Sequence, residues 1–111
     1  MGIAESRFDG LRRRRVAGVR VPVAERFVPR LLGLALLERA RAGPGLLIPR
    51  CRCVHTFGMR FALDLVFLDR EGRAIRHHRS VPAGRVVRER RADAVLELPA
   101  DQPQRLRSRG R

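Results

Sequence analysis

The stretch from Cys51 to Asp69, CRCVHTFGMRFALDLVFLD, constrains the fold more than any other part of the chain. Side-chain character alternates along two runs separated by Gly58. That pattern predicts two strands of a sheet joined by a bend, because a helix would repeat its apolar positions every three to four residues. The same stretch holds both cysteines, one of the three histidines and Asp64, an acid set inside an apolar run. Fold and chemistry therefore have to be read together here.

The flanking sequence is consistent with short strands. Val19, Val21 and Val23 alternate with Arg20 and Pro22, which predicts a half-buried strand at a sheet edge, since proline cannot donate to a ladder. From Phe27 the period becomes helical, with Phe27, Leu31, Leu34 and Leu37 three and four apart, and predicts one short helix. Ala42-Gly43-Pro44-Gly45 stops it. Leu46–Ile48 is a short buried strand. Arg70-Glu71-Gly72 marks a tight hairpin turn after Asp69, with glycine free to take the left-handed position. Three further strands follow at about 73–80, 85–88 and 94–98. At 111 residues the chain can bury one core. The expectation is a mainly β fold, a small barrel-like β-sandwich of short antiparallel strands with one short helix. Residues 1–15 are expected to be a flexible basic arm, 16–100 the β-rich domain, and 101–111 a flexible Arg-rich tail.

Charge sets the class of partner. There are 25 basic residues against 11 acidic, a formal charge of +14, and every basic residue is arginine. So uniform an Arg-for-Lys bias has the look of a GC-rich coding sequence, but the field is present whatever its origin and attracts phosphate-bearing or acidic partners. Two cysteines at i, i+2 make no disulfide framework, which favours a reducing compartment. The N-terminal residues have no apolar core of a signal peptide, so the expected location is the cytoplasm, and no apolar run approaches membrane-spanning length.

Three sets of residues carry chemistry. Cys51, Cys53 and His55, at i, i+2 and i+4, would share one face of a strand, which suggests zinc. The set lacks a fourth ligand at diagnostic spacing and the cysteines are closer than paired zinc cysteines usually are, so no cofactor is expected; two small core residues are the competing reading. A Cys-His pair also raises nucleophilic catalysis, but without a third group no catalytic residue is assigned. Asp64 needs partners in an apolar strand. It either accepts hydrogen bonds that hold strand register, from Thr56 or the Gly58 bend, or forms a polar pocket with His55 and Thr56, with Arg60 beside it to hold an anion. Finally, Arg12, Arg13, Arg14 and Arg15, with Arg88, Arg90 and Arg91, could contact phosphates. Tyr and Trp are absent and the five Phe sit mostly in apolar context, which leaves little to stack on bases.

The run Val54-His55-Thr56-Phe57-Gly58-Met59-Arg60-Phe61-Ala62-Leu63-Asp64-Leu65-Val66-Phe67-Leu68-Asp69, followed by Gly72, closely resembles the bacterial and archaeal family called domain of unknown function 192, or uncharacterised protein family 0127. Arg30–Leu34, Gly45–Ile48 and Ala94–Leu98 resemble its other segments in the same order, so the likeness spans about Val19 to Ala100. It implies a compact, mainly β, barrel-like sandwich with a short helix, and no established activity. Ala62 stands where the family commonly has proline, and Pro99-Ala100-Asp101-Gln102-Pro103 departs from its usual continuation. The leading expectation is a non-enzymatic module that binds a small molecule or a partner protein beside His55, Thr56, Arg60 and Asp64. The alternative is a basic protein that binds nucleic acid or another polyanion through its Arg-rich ends. A metal-dependent or Cys-based enzyme is the weaker third.

Overall fold

The computed structural model describes residues 10–25 and 43–100. In chain order the described strands are β1 (Arg13–Val16), β2 (Val19–Pro22), β3 (Leu46–Pro49), β4 (Cys53–His55), β5 (Leu63–Leu68), β6 (Ala74–Val81), β7 (Val86–Arg88) and β8 (Ala94–Pro99). Four of them form an antiparallel sheet in the order β3-β8-β5-β6. The others form two ribbons, β1-β2 and β4-β7.

The organising strand is β5, whose six residues are all buried. Because successive side chains point to opposite faces, Leu63, Leu65 and Phe67 enter one apolar cluster while Val66 and Leu68 enter another. Its neighbours divide in the same way. Leu46, Ile48 and Val95 join the first cluster; Leu47, Ala94 and Leu96 join the second. Each face has its own cover. Val54, Met59 and Ala92, with the partly buried Val87, close the first cluster from the β4-β7 side, and Val16, Val21 and Val23 close the second from the β1-β2 side. The described fold is thus a sheet between two ribbons. A strand covered on both faces reads as a near-continuous apolar run, which explains LDLVFL.

Local turn chemistry sets the registers. Ala17 and Gly18 both have positive φ, 51° and 83°, and link β1 to β2 at the pair Val16↔Val19, the two-residue hairpin geometry that matches strand twist. After β5, Asp69 Oδ1 accepts hydrogen bonds from the Glu71 and Arg73 N–H groups at 3.0 and 2.9 Å, with Gly72 at φ 84°. The predicted hairpin is therefore built as an aspartate-capped loop.

The mainly β expectation is met, and three details change. The two runs flanking Gly58 are not partners in one sheet: β4 pairs with β7, while β5 pairs with β6 and β8. The bend at Gly58, φ 81°, moves the chain from a covering ribbon into the central sheet. Among the described residues the sheets do not close into a barrel, and β3 and β6 are edges of the four-stranded sheet. The basic arm assigned to residues 1–15 overlaps β1: Arg13, Arg14 and Arg15 pair through their backbones with Pro22, Val21 and Arg20 while their side chains remain exposed. A ribbon strand needs only backbone partners on one side, so arginine does not prevent it. The expected helix from Phe27 and the expected tail at 101–111 lie outside the described residues. No helix among the described residues is long and apolar enough to cross a membrane.

Candidate functional site

The ribbon β4-β7 presents two unlike faces. Val54 and Val87 are facing partners turned to the core, so the alternate pairs Cys53↔Arg88 and His55↔Val86 point outward. Thr56 anchors the end of β4. It is fully buried, and its Oγ1 donates to the Pro82 carbonyl and accepts from the Arg85 N–H, each at 2.8 Å. Its backbone also joins the same loop, donating to Arg85 O and accepting from Gly84 N. At the other end the Glu89 N–H donates to Arg52 O, and the Ala92 N–H donates to Glu89 O across a turn. Ala92 packs into the core while Arg90 and Arg91 stay exposed.

The turn and the ribbon end border an open hollow of about 530 Å³ lined by Arg52, Cys53, Arg88, Arg90 and Arg91. Among the described residues none of the four arginines is in an ion pair. A second hollow, of about 590 Å³, shares Arg88, Arg90 and Arg91. On its wall Glu89 is already held, its Oε2 lying 2.9 Å from His78 Nε2 and 3.3 Å from Arg76 Nε. The ring of His78 is in turn seated edge-on against the buried Phe67, centroids 5.7 Å apart. Glu89, which lines the second hollow with three of these arginines, is thus engaged by partners of its own. Four arginines around the first hollow, with no carboxylate among the described residues that line it, suit a phosphate or carboxylate ligand, which guanidiniums can meet through paired N–H donors.

The structure separates residues that the sequence placed together. Cys51 precedes β4 and packs against the core, with its thiol donating to Cys53 O at 3.4 Å, whereas Cys53 is exposed on the outer face. The shared face expected for Cys51, Cys53 and His55 fails because the regular strand begins only at Cys53. The competing core reading therefore applies to Cys51 and not to Cys53. Among the described residues no three His, Cys, Asp or Glu side chains cluster as a metal would require. Asp64 does accept a backbone hydrogen bond, but from Ser80 N–H in β6 at 2.8 Å and not from Thr56 or the bend. Arg60 is exposed beside Gly58. Arg12 is paired with Glu25 at 2.8 Å, and that hydrogen bond is the main cause holding the Glu25 carboxyl below the usual carboxylate range.

Two features were missed from sequence. Arg52 completes the cluster, a fact visible only once β4 and β7 are paired. Phe57 is 54% exposed, and its ring stacks with His55 at a centroid separation of 5.4 Å and an interplanar angle of 22°. The period-two continuation Cys53, His55, Phe57 was the available signal for that exposure. A second buried acid, Glu97, lies in β8 opposite Leu46 and Leu65.

The family model for domain of unknown function 192, described as an uncharacterized ACR, matches residues 10–109. The chain belongs to this family. Two solved structures show the same fold at low identity. A protein of unknown function from Novosphingobium aromaticivorans DSM 12444 is 15% identical, with a TM-score of 0.64, covering 96% of this chain and 91% of that one. A proposed transcription regulator from Sinorhizobium meliloti 1021 is 22% identical, with a TM-score of 0.62, covering 85% of this chain and 82% of that one. No curated protein matches. Membership of the domain of unknown function 192 family leaves activity to be argued from the site.

Proposed function

We propose that the protein is a non-enzymatic module that binds a phosphate-bearing anion at the arginine hollow between β4, β7 and the Glu89–Ala92 turn. The observation that carries this reading is the convergence of Arg52, Arg88, Arg90 and Arg91 on one hollow with no acid among the described residues that line it. Like charges brought together repel, and an anion that neutralises them gains from all four at once. The volume lies within the range of small-molecule sites. The reading keeps the polyanion alternative but moves it from the chain ends to a surface built by folding. It also sets aside the Thr56–Asp64 pocket as the leading reading: Thr56 Oγ1 has internal partners for both its donor and its acceptor role, and Asp64 Oδ1 receives Ser80 N–H.

Charge-matched substitutions test the proposal, because a protein of +14 attracts any polyanion weakly. Tripolyphosphate binding, followed by calorimetry at low salt, is expected to fall at least tenfold in Arg88→Glu and to change little in Arg13→Glu, which removes the same charge from β1. Equal loss in the two variants would mean that the whole-molecule field, and not the hollow, does the binding.

A further inference from the structure

The outer face of the β4-β7 ribbon carries more than charge. Next on this face after the Cys53↔Arg88 pair comes the His55↔Val86 pair, and just past the end of β4 lies Phe57. Phe57 and Val86 are 54% and 58% exposed, the most exposed large apolar side chains among the described residues. The rings of His55 and Phe57 lie nearly parallel. An apolar, flat-ringed surface left in water beside a cluster of arginines has a specific chemical complement: a ligand with a planar aromatic part and a phosphate. Successive same-face residues of a strand are about 7 Å apart, so ring platform and guanidinium hollow stand within the reach of one or two nucleotide units.

Resting on the anion-hollow reading, we infer that the occupant is a single nucleic-acid strand, with its phosphates in the arginine hollow and a base that extends the Phe57–His55 stack. A duplex keeps its bases stacked on each other and offers no free face to the platform, whereas a single strand offers one at every nucleotide. Stacking of this kind tolerates any sequence, because every base has a π-face. The exposed Val86 extends the apolar surface on the β7 side, where a sugar or the edge of the same base would lie.

The full chain is tested by fluorescence anisotropy with labelled oligo(dT) and oligo(U) strands, a duplex of equal length, and inorganic polyphosphate as competitor. The strands are expected to bind more tightly than the duplex. Phe57→Ala is expected to weaken strand binding roughly tenfold and to leave polyphosphate affinity unchanged, whereas Arg88→Glu weakens both. Since the chain contains no Trp, Phe57→Trp makes a sole reporter. Its emission should change on adding strand and stay constant on adding polyphosphate. Strand binding that is indifferent to Phe57→Ala, or indole emission from the Phe57→Trp variant that ignores bound strand, overturns the stacking assignment while the anion hollow stands. Polyphosphate binding indifferent to Arg88→Glu removes the hollow itself.

Discussion

Asp64 is the residue whose neighbours explain most about the sheet. On the β8 side it pairs regularly with Leu98, but on the β6 side the register jumps from Leu63↔Val81 to Leu65↔His78, so Arg79 and Ser80 together stand opposite one residue. Ser80 has φ 52°, the left-handed region that one class of bulge uses. The bulge withdraws the Ser80 N–H from the ladder, and the carboxylate supplies the acceptor that the β5 backbone cannot. A buried acid is thereby matched to a donor that would otherwise be stranded. Asp64→Ala is expected to lower stability by about 1–3 kcal/mol, the usual consequence of an unsatisfied donor. Asp64→Asn retains an acceptor and should lose less. Urea unfolding of both variants checks this, and an alanine variant as stable as the parent would separate the carboxylate from the bulge.

At the scale of elements, the ribbon β4-β7 rests on the first core cluster through Val54 and Val87 and is tied at one end by Thr56. Its three-residue strands offer few ladder bonds, so the buried hydroxyl carries a large share of the positioning. Thr56→Val keeps the volume and removes the side-chain hydrogen bonds, leaving the Pro82 carbonyl and the Arg85 N–H without that partner. We expect a loss of about 2 kcal/mol. Amide exchange should accelerate in β4 and β7 before it does in β5 and β8, because the ribbon can open without the central sheet. Uniform acceleration across all strands would mean that ribbon and sheet open as one unit. The other exposed element, β6, bears Arg76, His77 and Arg79 along a sheet edge, and charge at an edge discourages pairing with another chain.

For the whole molecule, the charge of +14 and the arginine hollow make different predictions about salt. A diffuse field is screened over about 8–10 Å at physiological ionic strength. Discrete phosphate contacts instead release counterions, at a slope near −0.7 per phosphate in log K against log salt for a single strand. If one phosphate is held per arginine of the hollow, the four together would contribute roughly −3 to that slope, and Arg52→Ala should reduce it by about 0.7. Strand affinities measured between 50 and 200 mM salt give the slope directly. An unchanged slope in Arg52→Ala would place that side chain outside the contact.

Strand positions were legible because they depend on local pattern. The alternation in Val19–Val23, the run from Leu63 to Leu68 and the Asp69–Gly72 turn specify β2, β5 and the β5-β6 hairpin without reference to anything distant in the chain. The acid at Asp64 was likewise marked by its apolar neighbours as a residue that must find a partner. Which partner it finds, which strands pair, and which side chains converge are nonlocal facts. Arg52 and Arg88 are brought together only when β4 pairs with β7, and period two puts Phe57 on the face of Cys53 and His55 without saying that this face is the open one. A pattern of period two tells each side chain which of two faces it occupies; the packing of the ribbons on the sheet decides which of those faces is core and which is open to a ligand.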